Sequence, residues 1–136
     1  MSQKTLTFAL MDPPYESENL TTAFRLLDIA ARRGYDIKVF AYEGASALAF
    51  ARQAAHPNPV HGNDTAEENH PTTKDQVDAL LACAEQNGGK VDWVNCGMCV
   101  DERGVTEFVP DTRRGSPADL HAFCEASDNV LVIPTK

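Results

Sequence analysis

Apolar positions fall along the chain in two alternating rhythms. Four short runs, "TLTFAL", "DIKVFAY", "VDWVN" and "NVLVIP", have strand length and turn-forming boundaries. Longer segments with helical spacing lie between them. In the first, Leu20, Ala23, Phe24, Leu27, Ala30 and Ala31 share one face, and Gly34 stands where a helix end favours a left-handed residue. Glu43 to Gln53 is alanine-rich and predicts a second helix. A third is predicted from Thr73, with Gln76 three residues on forming a capping box, to the stop at Asn87-Gly88-Gly89. The last opens at Ser116-Pro117, an N-cap followed by the proline that suits a first helical turn. This alternation predicts one α/β domain over residues 1–136, with a predominantly parallel sheet flanked by helices. Residues 54–72 break the rhythm. Prolines, acids and the histidines His56, His61 and His70 replace any apolar period there, which predicts a long surface loop with solvated imidazoles.

Charge and composition narrow the function classes. Twelve basic against twenty acidic residues give a formal charge of −8, which argues against a nucleic-acid partner. No apolar stretch approaches the roughly 20 residues needed to span a bilayer. The opening "MSQKTLTFALMDPPYE" lacks a cleavage site, so no export signal is expected and a cytoplasmic location is. In that compartment Cys83, Cys96, Cys99 and Cys124 should be thiols rather than bridges.

Two stretches carry candidate chemistry. "DPPY", Asp12 to Tyr15, has the form of an amino-group methyltransferase signature, but the glycine-rich cofactor loop and larger domain of such an enzyme are missing. It reads as a rigid turn after the first strand. Cys96 follows the "VDWVN" strand, so in a parallel sheet the turn and the cysteine share the carboxyl edge, where such sheets bind ligands.

The other stretch is "VNCGMCVDERGV", Val94 to Val105, whose Cys-x-x-Cys spacing serves three chemistries. A zinc site would join Cys96 and Cys99 to His121 and Cys124. Against it, Cys124 beside Leu120 and Phe123, like Cys83 beside Leu80 and Leu81, reads as a buried core thiol. A thioredoxin-type disulfide would need most of the sheet to follow the motif, whereas about 37 residues remain after Cys99. The third chemistry is a carrier thiolate. A cysteine at a strand's carboxyl end, before a short helical turn, meets free backbone N–H groups, which favour the reactive thiolate. Arg103 adds positive charge; Asp101 and Glu102 oppose it. The inert alternative is a thiol that closes a buried strand.

A strand, a cysteine and a short turn ending in Arg103-Gly104-Val105 resemble the DsrE/TusD branch of the DsrE-like sulfur relay proteins. "DPPYESENLTTAFRLLDIAARRGYDIKVFAYEGA" is similar to that family's N-terminal half, and "EASDNVLVI" to its tail. The resemblance implies a DsrE-like fold and a cytoplasmic sulfur carrier without a cofactor. Its cysteine, at Cys96 here, accepts sulfane sulfur as a persulfide from a sulfurtransferase, rhodanese-like or TusA-like, and passes it to another protein's thiol. It also implies a homotrimer or a pair of trimers. Three features depart from the family pattern: Cys99 is an extra thiol, Glu102 stands where relatives often carry a base, and the histidine-rich loop is long. A reading of another class is a regulatory or structural subunit whose cysteines hold zinc or nothing.

Overall fold

A computed structural model describes residues 3–57, 63–64, 67 and 71–135. Among these residues, β1 (Thr5–Leu10), β2 (Asp36–Ala41), β3 (Val91–Cys96), β4 (Thr112–Gly115) and β5 (Asn129–Ile133) form a five-stranded sheet. Its order is β4-β3-β2-β1-β5, and every neighbouring pair runs parallel. Parallel neighbours require crossovers. The crossovers contain α1 (Glu18–Arg32), α2 (Thr73–Gln86), α3 (Gly97–Arg103) and α4 (Pro117–Ala126).

The helix signals act largely where the sequence puts them. The Ser17 hydroxyl caps α1 by accepting from the Asn19 N–H at 3.2 Å. Gly34 follows its end at φ 74, and a Cβ there would meet the Asn87 carbonyl oxygen at 2.7 Å. Ser116 and Asp119 form a reciprocal capping box at the start of α4. The capping box expected at Thr73 and Gln76 does not form. Thr72 is the N-cap and its hydroxyl donates to Asp75 at 2.7 Å, while the Thr73 hydroxyl is drawn to the Leu48 carbonyl at 2.9 Å.

Alternate residues of each strand point to opposite faces. On one face Phe8, Leu10, Val39, Ala41 and Trp93 pack with Leu20, Leu27, Val77 and Leu80 of α1 and α2. Trp93 is fully buried and Phe24 stacks near it at 6.3 Å. On the other face Phe40, Val94 and Cys96 meet Phe123 of α4 in a much smaller cluster.

Two expectations are corrected. Glu43 to Gln53 is not a helix: a 3₁₀ turn spans Glu43–Ala47, followed by irregular backbone. Glu43 has φ 52, and the backbone bonds leave the segment, with Ala45 N–H on Met11 O at 3.0 Å and Ala51 N–H on Glu107 O at 2.9 Å. Those bonds replace an i→i−4 ladder. The second correction is β4, a strand that the apolar pattern does not predict. Its residues, Thr112-Arg113-Arg114-Gly115, carry no apolar side chain because β4 is an edge strand turned toward solvent. Parts of the 54–72 segment, with His61 and His70, lie outside the described residues. His56 is described, and its ring meets the Tyr15 ring edge-on at 5.0 Å.

Candidate dithiol site

Because the strands are parallel, the Asp12–Tyr15 turn after β1 and Cys96 at the end of β3 lie at the same edge of the sheet, as expected. The 3₁₀ turn that follows β2 links them. Gly44 packs so closely on Pro13 that a Cβ would lie 2.7 Å from its ring, and the Glu43 N–H donates to Cys99 Sγ at 3.1 Å. A cleft of about 490 Å³ opens here, lined by Pro13, Glu43, Gly44 and Arg103 among others. Asp12, between Met11 and Pro13 of the lining, is buried. The Ser17 hydroxyl donates to one carboxylate oxygen, and among the described residues the other has no hydrogen-bond partner.

Cys96 is both the last residue of β3 and the N-cap of α3. Strand alternation turns it toward the smaller cluster, where it is only 6% exposed. Cys99, one turn along α3, packs against the same cluster but is half-buried, so the two thiols are neighbours. Burial pushes the Cys99 thiol above the ordinary cysteine value, and the Cys96 thiol adds to the shift. The Glu43 N–H acts the other way without reversing it. Met98, between the two cysteines, is 73% exposed. The site is therefore a pair of thiols, the inner one covered and the outer one closer to solvent.

The neighbouring cation is not the one expected. Arg103 is occupied by the Cys99 carbonyl at 3.3 Å and Glu43 at 3.4 Å, so it ties α3 to the 3₁₀ turn. Arg114 of β4 takes the place beside Cys96. Its guanidinium lies over Gly97, where a Cβ would approach Nε to 2.8 Å. Asp101 grips it through two bonds of 2.7 Å, which keep it charged, and the Cys96 sulfur acts in the same direction. In return the guanidinium holds Asp101 below the usual carboxylate range. Sequence reading missed Arg114 with its strand. The available signal was Thr112 in a short run between the Pro110-Asp111 turn and the Ser116 cap.

The zinc set does not assemble. Among the described residues no three histidine, cysteine or acidic side chains gather to hold a metal ion. His121 pairs with Glu125 at 3.1 Å on the exposed side of α4. Cys124 is also exposed, contrary to the expected core thiol, because α4 turns Phe123 to the sheet and the next residue lies about 100° further around. Cys83 is half-buried against the larger core.

Fold and site together define an open parallel α/β domain with a reduced dithiol at the carboxyl edge of its sheet. The chain matches the DsrE/DsrF-like family over residues 4–133, and it belongs to that family. In general terms this is a family of sulfur relay proteins. Among solved structures the chain is similar in fold to the YchN protein of E. coli, with a TM-score of 0.72 at 20% identity over 96% of this chain and 99% of that one. No curated protein matches the chain. Among the described residues no helix is long and apolar enough to cross a membrane.

Proposed function

We propose that this protein is a cytoplasmic sulfur carrier that accepts sulfane sulfur as a persulfide on Cys96 and passes it to a thiol of another protein. The observation that carries the reading is the packing of Cys96 and Cys99 in one cluster at the sheet edge, with the Arg114 guanidinium over the intervening Gly97. Loading is thiol exchange: a thiolate attacks the donor's sulfane sulfur and the donor leaves as its own thiolate. The donor would be a rhodanese-like or TusA-like sulfurtransferase. Cys99 sits nearer to solvent and serves as the adjoining exchange thiol, while Cys96 holds the persulfide in the more covered position. Intact mass after brief exposure to polysulfide tests this. A gain of about one sulfur atom, reversed by reductant, is expected, and Cys96→Ser should abolish it. Undiminished loading and transfer by Cys96→Ser would transfer the role to Cys99.

The carrier is also proposed to be a homo-oligomer, a trimer or a pair of trimers. The two sheet edges support this. β4 exposes two arginines held in ion pairs, whereas β5 exposes Val130, Leu131 and Val132 on an unguarded edge. A cleft of about 330 Å³ beside β5 is lined by Leu26, Ile29, Val130 and Leu131. Apolar edge surface of this kind marks an interface. Light scattering should give a multiple of the chain mass, and Val132→Lys should shift it to the monomer without loss of helical signal. A monomer mass for the parent at micromolar concentration would remove the assembly.

A further inference from the structure

We infer that Cys99 discharges the Cys96 persulfide when no acceptor protein takes it, releasing hydrosulfide and closing a Cys96–Cys99 disulfide. This rests on the carrier reading above and adds a second activity to the same site: reductive release of sulfide. The argument begins with position. Cys99 follows Cys96 by one turn, so the two side chains are neighbours at the start of α3, within the span a disulfide can bridge. Both pack in one cluster with Phe40 and Phe123, and the Glu43 N–H donates to the Cys99 sulfur at 3.1 Å. A single-cysteine carrier needs no such second sulfur held in place.

A persulfide presents two sulfurs to a nucleophile. Attack on the outer one moves the sulfane atom to Cys99 and changes nothing overall. In this site Cys99 packs against the cluster that contains Cys96, one turn further along α3, so the inner sulfur, Cys96 Sγ, is its neighbour. Attack there forms the Cys96 Sγ–Cys99 Sγ bond and breaks the bond between Cys96 Sγ and the sulfane sulfur. Hydrosulfide leaves with the electron pair. The sulfane sulfur is reduced by two electrons, the two cysteine sulfurs supply one each, and the proton lost by Cys99 passes to solvent. The leaving group is a weakly basic thiolate analogue, which favours this direction. A small thiol or a dithiol reductase must then reduce the disulfide before another cycle. The site is thus a carrier whose load has a limited lifetime.

The parent, Cys99→Ser and Cys99→Ala are loaded anaerobically with polysulfide, desalted, and followed by intact mass and a sulfide assay. Both variants should keep the added sulfur. The parent should lose it, release an equivalent of hydrosulfide and finish two hydrogens lighter than the unloaded thiol form, with the new bond mapping to Cys96 and Cys99. If the variants load and the parent keeps its sulfur equally long, the discharge is wrong and the carrier reading stands. A disulfide mapping to Cys83 or Cys124 also overturns the discharge alone, whereas a parent that loads when neither variant does overturns both the discharge and the Cys96 assignment, since Cys99 is then the carrier. If no protein gains sulfur, the carrier reading itself fails and this inference falls with it.

Discussion

On one face of the sheet α1 and α2 cover a broad layer that includes Phe8, Leu10, Val39 and Trp93. On the other face α4 covers Phe40, Val94 and Cys96, chiefly through Phe123. The first face is the ordinary solution to folding an α/β chain, with large side chains buried to close packing. The second is thin, and it is where the reactive sulfur lies. The contrast separates two tasks. Stability is concentrated where no chemistry occurs, so the dithiol face needs only enough cover to exclude solvent.

That division is sharpened by truncating one large side chain on each face. Trp93→Ala should cost about 3–5 kcal/mol, because it empties a fully enclosed site and leaves the Asn95 amide oxygen without the indole N–H it now accepts at 3.0 Å. Phe123→Ala should fall at the low end, about 3 kcal/mol, since a single helix beside solvent can settle into the gap. Denaturant midpoints measure both. In the folded state Phe123→Ala should also speed alkylation of Cys96, whereas Trp93→Ala should not. A larger stability loss at Phe123 than at Trp93 would break the comparison.

The same contrast decides what the sequence makes legible. β1, β2, β3, α1 and α2 face the thick layer, so their burial imposes the periods that were read correctly. β4 packs no apolar side chain, and its arginines are explained by Asp119 just after it and by Asp92 and Asp101, which the fold brings in from earlier in the chain. No local pattern carries that information. The 43–53 segment failed for the opposite reason. Ala45, Leu48 and Ala49 are buried, but backbone bonds to Met11 and Glu107 fix their conformation. Cys96 was found because strand-end position is local, while the burial of Cys96 and the exposure of Cys124 depend on how α4 lies on the sheet. Arg103 is close to Cys96 in the sequence, whereas Arg114 comes beside it only through the parallel crossover to β4.

A smaller effect is expected from moving the cation without disturbing either core. Gly97→Ala puts a methyl group where the Arg114 guanidinium now lies, and the flexible arginine can swing out to solvent. Helix propensity favours alanine there, so stability should hold within about 1 kcal/mol. Persulfide loading should slow by up to about five-fold, the worth of one partly exposed charge pair. Arg114→Met should match it, and the two changes combined should do no more than either alone. Additive slowing would show that Gly97 acts through something other than Arg114.

The smallest effect is a pH dependence that belongs to Cys99. Its thiol is raised first by burial and then by the Cys96 thiol; Glu43 offers both an N–H that opposes the shift and a carboxylate that adds to it, and Arg103 is held by that carboxylate and by the Cys99 carbonyl. A raised folded-state value means that the folded chain keeps a proton the unfolded chain has lost. The contribution to stability is therefore complete below the unfolded thiol's pKa, and it drains away as pH rises through the higher folded value. Parent and Cys99→Ser should show a constant difference in denaturant midpoint near neutrality, with the parent losing ground as pH climbs past the ordinary cysteine range. Alkylation of Cys99 should accelerate over the same interval, and discharge of a Cys96 persulfide with it, since all three follow one deprotonation. Alkylation of Cys99 that is already at its plateau at neutral pH would mean that the Glu43 N–H outweighs burial, and the outer thiol would then be the stronger nucleophile of the pair at rest.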